Sequence, residues 1–372
     1  MRALVCEGPE RVALREVATP EPGPGDVLVR VAAALTCATD FKLLKRGHPK
    51  FPFPLTLGHE FAGVVESAGK GAGFQAGDRV TSAVSAPCGA CADCRAGREN
   101  LCPTAFDQPL FGAFADFLLV PERIVKNGMR KIPSGLSDEA AALLDPLASV
   151  VHGIGRAKAS ADGGDVLVVG TGPIAAMLFF LLRGKEGSDA PVRRVVIAGR
   201  REARLVFFER NRGEVARISR IEASPHATDA DAPPVTLFTF KENPPVPLRI
   251  ESRRGEGARN SLFSLVVDTT GDSGVIETLP GLAADGGMVI LFAGLPAGAR
   301  VSLDTHAIHY REVSIVGSFH YTPGEVDEAL ALLSKGAVPA AEIVSARRPL
   351  AAWREAFDLA QSGSALKVAL VP

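Results

Sequence analysis

Four of the six cysteines in this 372-residue chain fall in one short stretch, Cys88-x2-Cys91-x2-Cys94-x7-Cys102. No other feature limits the fold as strongly. Thiols this crowded do not suit a dispersed disulfide framework. They can surround one divalent ion, because two-residue links let backbone turns gather the sulfurs tetrahedrally. Gly89 and Gly97 ease those turns. The spacing predicts a closed, structural zinc lobe over about residues 86–104, which holds a loop together and does not react. Clustered cysteines of this kind belong in a reducing compartment, so a cytoplasmic location is expected. The first residues read as a strand and not as a targeting leader, and the longest apolar run, residues 174–182, is too short to span a bilayer.

The rest of the chain has to build the body that carries this lobe. Its length suggests about two domains. With 47% hydrophobic and 22% charged residues, it has the composition of a globular protein. Lys+Arg 41 against Asp+Glu 42 gives a net charge of -1, which argues against general binding to nucleic acid or anionic membranes. The first third reads as short strands (2–6, 13–16, 27–33, 61–67, 79–85 and 115–120) separated by Gly/Pro turns, as in a β-barrel-like unit. After Ser137 the pattern changes. Helical stretches are expected at 140–144 and 147–157, broken at Pro146. Continuous apolar runs at 166–169, 194–198, 265–268, 287–292 and 312–317 then alternate with helical segments, which predicts a doubly wound α/β domain with a parallel sheet. A helix over 325–336, another over 353–361 and a strand over 367–371 close the chain. Residues 225–247, rich in Pro, Asp and Thr, read as an irregular surface insertion.

Two further constellations carry chemistry. Cys37-Ala-Thr-Asp40 and Gly58-His59-Glu60 offer a thiolate, an imidazole and a carboxylate, a set able to hold a catalytic zinc with water completing it. The run Val166–Val169 leads into Gly170-Thr-Gly172-Pro173-Ile174-Ala175. This is a glycine fingerprint in its strand–turn–helix setting, where a helix N-terminus can face a pyrophosphate. The next strand ends in Gly199-Arg200-Arg201, with Arg204 following. An acid at this point would bind a ribose 2′-OH, whereas guanidinium forks suit a 2′-phosphate, so NADP(H) is favoured over NAD(H).

These motifs, taken with AGDRV, LDPLASVVHG and REVSIVGSFHY, resemble the zinc-dependent medium-chain alcohol dehydrogenases, and most of all their sorbitol/threonine dehydrogenase branch. The resemblance covers nearly the whole chain apart from residues 210–260. It implies a GroES-like catalytic domain (1–146, with 319–372 returning to it) around a Rossmann domain (147–318), and two zinc ions per chain. It implies that Cys37, His59 and Glu60 hold the catalytic zinc and that Asp145, where the family has Cys or Glu, reaches it through water. Asp40 would orient the ligand histidine. Thr39 would hydrogen-bond the substrate oxygen and start a proton relay. The family's relay histidine position is Lys42 here, and His48 reads as a surface histidine. Leu295 and Phe319 would lie beside the cofactor. His320 and Leu43 stand where sorbitol enzymes carry Arg and Tyr, so sorbitol itself is not expected. Phe106, Phe111 and Phe319 would give a more apolar pocket.

The implied activity is hydride transfer between NADP(H) and a secondary alcohol, a polyol or the matching ketone, in a homodimer or homotetramer. The alternatives are an NAD-dependent enzyme of the same class, or a non-catalytic dinucleotide-binding regulator or redox sensor.

Overall fold

A computed structural model describes residues 1–47, 51–157, 163–184, 192–218, 238–240, 247–248 and 263–372. His48, most of the 184–194 connection and most of the insertion lie outside the described residues. The chain divides into two compact units, Met1–His152 with His320–Pro372, and Gly153–Phe319. The expected border at residue 146 falls inside a continuous helix, Leu144–Arg156, so the units part after His152. Pro146 does not break that helix. It sits in the first turn, where its missing N–H has no intrahelical partner to lose. The break comes just earlier, between Asp138–Ala141 and Leu144.

The first unit is built from short strands. One sheet of three strands is centred on Arg2–Gly8, and a larger one follows the path Val344–Pro349, Lys367–Val371, Val27–Leu35, Glu60–Ala68, Arg79–Ser82, Met129–Lys131. Phe61, Phe114, Leu4, Leu35 and Leu57 are fully buried between them. Each such side chain contributes about 1.5–3 kcal/mol of burial. The final strand of the chain, Lys367–Val371, is antiparallel to Val27–Leu35, pairing Ala369 with Leu35 and Leu370 with Ala34. It therefore enters the sheet directly above the segment that leads to Cys37. The strand Val344–Pro349, parallel to it, was not legible in the sequence, because its residues alternate half-buried and exposed and carry Arg347 and Arg348.

The second unit holds an eight-stranded sheet. Six strands run parallel, in the order third, second, first, fourth, fifth, sixth, starting with Asp165–Val169 as the first. Asp165–Val169 is buried along its whole length, as a strand covered on both faces must be. The order reverses between it and Phe263–Asp268, which opens a crevice at their carboxyl ends. Within the insertion, Phe238–Phe240 and Pro247–Leu248 add two antiparallel strands beyond Glu214–Ile218, so this region is not wholly irregular.

Among the described residues, no helix is long and apolar enough to cross a membrane.

Candidate active site and nucleotide cradle

The strand Val27–Leu35 delivers Thr36 and Cys37 to the start of the helix Ala38–Arg46. Glu60 opens the neighbouring strand, with His59 just before it. The register Leu35↔Glu60 sets these two segments side by side. One donor atom from each of Cys37, His59 and Glu60 lies within 4.8 Å of the others. His59 and Glu60 are buried, and Cys37 is half-buried.

Asp40 organises this corner. It is fully buried on the first turn of the helix, and its two oxygens accept from the backbone N–H of Cys37 (2.9 Å) and of Gly58 (3.1 Å). One carboxylate thus ties Cys37 to the residue just before His59. Its Oδ1 also lies 3.6 Å from His59 Nδ1, too far for a full hydrogen bond, and that ring nitrogen is buried with no hydrogen-bond partner. Burial works against the imidazolium. The Cys37 thiolate and Asp40 outweigh it and raise His59 well above its ordinary range.

Glu60 has a partner that sequence reasoning missed. Lys367, on the last strand, donates to its carboxylate and to the carbonyl of Thr36 at 3.1 Å. The two side chains are 3% and 2% exposed. Burial pulls the Lys367 ammonium down, but Glu60 and Cys37 outweigh it, and its pKa is raised.

Asp145 stands outside the group of three. Its Oδ1 accepts from the backbone N–H of Val84 (2.7 Å) and from the hydroxyl of the buried Tyr321. Both donors meet Oδ1, and the side chain is one methylene shorter than Glu, an arrangement compatible with the expected contact to a metal through water. Asp145 also acts on Glu60 through its charge. Burial raises the Tyr321 hydroxyl pKa, and Asp145 raises it further, so this hydroxyl remains a donor. Thr39 is half-buried on the first helical turn, and Lys42, one turn on, is exposed. Next to Tyr321, His320 adopts φ 59° and shares a 2.7 Å hydrogen bond with Ser85 Oγ. Its ring packs on Phe106, and burial lowers its pKa to about 4. The residue that replaces a sorbitol-type Arg is therefore a neutral ring. Phe111 packs edge-on to His59. Leu43 is buried in the core.

The sulfurs of Cys88, Cys91, Cys94 and Cys102 also lie within 4.8 Å of one another. Backbone N–H groups of Ala90 and Cys91 hold Cys88 down to about 6. Burial and the Cys91 sulfur push Cys94 up to about 12. A thiolate at Cys94 thus requires a cation beside it, which a divalent ion supplies. The donor set fits zinc in number and type.

In the second unit, Asp165–Val169 runs into Gly170 at φ 122°, and the helix Pro173–Arg183 starts from Gly172 with Pro173 in its first turn. A side chain at Gly170 would collide with Thr269 Oγ1. At Gly172 a Cβ would enter open space, with Arg204 Nη1 3.9 Å away. An uncovered helix N-terminus beside a guanidinium fits an anion. Ile174 sits in the first turn of the same helix. The strand Arg194–Gly199 ends beside Thr171, and Arg200 and Arg201 are exposed just beyond it. Burial and the nearby Arg201 lower the Arg204 pKa. Two like charges gathered here favour a dianionic ligand. Asp272, at the start of the helix Ser273–Leu282, lies 3.9 Å from Arg200, a pairing that no motif announces. Leu295 is half-buried in the loop after the fifth strand of the parallel order, and Phe319 is 57% exposed.

Comparison with known proteins returns the same architecture. Residues 23–131 match the alcohol dehydrogenase GroES-like domain. The chain is 32% identical over 356 residues to D-altritol 5-dehydrogenase of Agrobacterium fabrum, covering 94% of this chain and 93% of that protein. It is 29% identical to L-threonine 3-dehydrogenase of Deinococcus radiodurans, over 100% of this chain and 97% of that one. A crystal structure from Sinorhizobium meliloti 1021, assigned as a zinc-binding dehydrogenase and bound to NADP, superposes with a TM-score of 0.78 at 29% identity, over 100% of this chain and 99% of that one.

Proposed function

Because the chain belongs to the zinc-dependent medium-chain alcohol dehydrogenases, in the branch of the sorbitol and threonine enzymes, we propose that this alcohol oxidoreductase transfers a hydride between NADP(H) and a secondary alcohol, a polyol or the matching ketone. The observation that carries the reading is the convergence of Cys37, His59 and Glu60 around one point beside the buried Asp40.

In this reading Cys37, His59 and Glu60 hold a catalytic zinc, and the four-cysteine lobe holds a second, structural one. When bound, the catalytic ion supplies a Lewis acid for the substrate oxygen, and the nicotinamide supplies or accepts the hydride. The chain's own residues do the rest. Asp40 lies 3.6 Å from His59 Nδ1, and Nε2 would be the nitrogen that meets the metal. Asp145, held through Oδ1 by Val84 and Tyr321, would reach the metal through water. Thr39 accepts and passes on the substrate hydroxyl proton, and Lys42 lies at the solvent end of that helical face. Gly170, Gly172, Pro173 and Ile174 form the pyrophosphate cradle. Gly199, Arg200, Arg201 and Arg204 receive the 2′-phosphate. Leu295 and Phe319 flank the nicotinamide end. The neutral His320 favours a substrate less polar than sorbitol, and Leu43, buried in the core, offers such a substrate no polar group. The unit that carries the metal residues, with its C-terminal return, is the catalytic domain, and the other is the cofactor domain.

The test pairs metal counting with a cofactor comparison. Two zinc ions per chain are expected, one after Cys37→Ser, together with NADPH oxidation against a panel of aldehydes, ketones and keto-sugars. One native zinc and no hydride transfer across the panel would overturn the reading. The second reading, an NAD-dependent enzyme, draws on Asp272, whose carboxylate beside Arg200 offers a ribose hydroxyl an acceptor. Under the NADP reading, Arg200→Ala and Arg201→Ala weaken NADPH use and spare NADH. Under the NAD reading, NADH is preferred and neither change abolishes that preference.

A further inference from the structure

We infer that Arg123 is the clasp of the four-cysteine lobe, a positioning residue that ties the two ends of the loop and offsets the charge gathered by its thiolates. Nothing in the cysteine spacing points to it. Arg123 lies on a separate short helix, Glu122–Asn127, beyond the lobe in sequence.

Its guanidinium reaches both ends of the loop. Nε donates to the carbonyl of Pro87 at 3.3 Å, immediately before Cys88. Nη2 donates to Thr104 Oγ1 at 2.9 Å, two residues after Cys102. The same Nη2 lies 3.8 Å from Cys102 Sγ, within reach of an N–H to sulfur bond. Thr104 Oγ1 is itself 3.5 Å from that sulfur, so hydroxyl, sulfur and guanidinium form one closed set of contacts. A planar fork can span entry and exit strands in this way, whereas a lysine ammonium would offer a single point.

The lobe needs such a tie. Its own apolar cluster is only Cys94, Cys102 and Ala105, with Cys91 and Phe106 against it. That is too little buried surface to fix a loop of this length. Four thiolates around a divalent ion also leave an excess of two negative charges. The other arginines of the lobe are engaged elsewhere: Arg95 donates to the carbonyl of Ala90, and Arg98 to Asp93 at 2.7 and 3.1 Å. Among the described residues, Arg123 is the cation whose N–H reaches a cysteine sulfur.

This inference rests on the lobe being a zinc site, and the experiment separates the two. Zinc is counted in the full-length Cys37→Ser protein, where one ion per chain is expected, and its release to 4-(2-pyridylazo)resorcinol is followed by absorbance. Partners that support a metal's ligands typically change its affinity by roughly 10–100-fold, so Arg123→Met is expected to speed release by at least about tenfold, and Arg123→Lys by less. Release within about twofold of the parent overturns the clasp while leaving the zinc site intact. A parent with no zinc in the lobe overturns the metal reading and the clasp with it. Should Arg123→Met fail to fold, Arg123→Lys decides: acceleration of about threefold or more supports the clasp, and the parental rate overturns it.

Discussion

Removing the Lys367 ammonium is the sharpest way to probe the corner formed by Cys37, His59 and Glu60. Lys367→Met keeps the length and apolar stem of the side chain and deletes its charge. Glu60 then stays buried, 2% exposed, without the cation it faces. At an ordinary contact of about 3 Å and an effective dielectric of about 20, the lost attraction is about 5 kcal/mol. The carbonyl of Thr36 also loses its donor. Breaking a buried pair by removing one member costs roughly 3–5 kcal/mol after relaxation. The assay exploits the single tryptophan, Trp353, which is packed in the core of the first unit and reports that unit's unfolding alone. In metal-depleted protein, with a urea slope of about 2–3 kcal/mol per molar, the fluorescence midpoint should fall by more than about 1 M. Adding Glu60→Gln removes the stranded charge and should recover at least half of the loss, and so should zinc, which returns a cation to Glu60. A midpoint that moves by less than about 0.3 M, or a double variant no better than the single one, would refute the reasoning.

Other outcomes follow from the same geometry. Asp40→Asn keeps the shape but loses the charge facing His59, and should weaken zinc binding at the Cys37 site by roughly 10–100-fold in a chelator competition, with the lobe metal retained. Gly170→Ala places a methyl group against Thr269 at a φ of 122°, and should reduce dinucleotide binding by at least about tenfold in a fluorescence titration. In chelator-treated protein, Cys88 has a pKa lowered to about 6, so its alkylation rate should rise through that pH and level off above it, and zinc should suppress the reaction throughout. A Cys88 that reacts only near pH 9 would contradict the hydrogen bonding from Ala90 and Cys91.

The parts legible in the sequence share one property, short range. The four cysteines, the glycine turn and the apolar strands of the parallel sheet each state their structure within fifteen residues or fewer. What the sequence hid is long-range. Glu60 and Lys367 are 307 positions apart, and Asp145 meets Tyr321 across 176. No local pattern could show that Asp145 already has two donors, or that Asp272 approaches Arg200 from another turn. Pro146 misled for the opposite reason. Its local meaning depends on its place in the helix, and a shift of a few residues turns a breaker into a compatible first-turn residue.

The last strand has a consequence for synthesis. Cys37, His59 and Glu60 leave the ribosome early, but the lysine that neutralises Glu60 emerges roughly 300 residues later, about 15–60 s at ordinary elongation rates. Through most of that interval the nascent first unit lacks two strands of its larger sheet, Val344–Pro349 and Lys367–Val371, and Glu60 has no lysine to face. The nucleotide-binding unit, contiguous in sequence, can finish folding meanwhile. A divalent ion at Cys37, His59 and Glu60 would supply a cation to that acid before the last strand arrives.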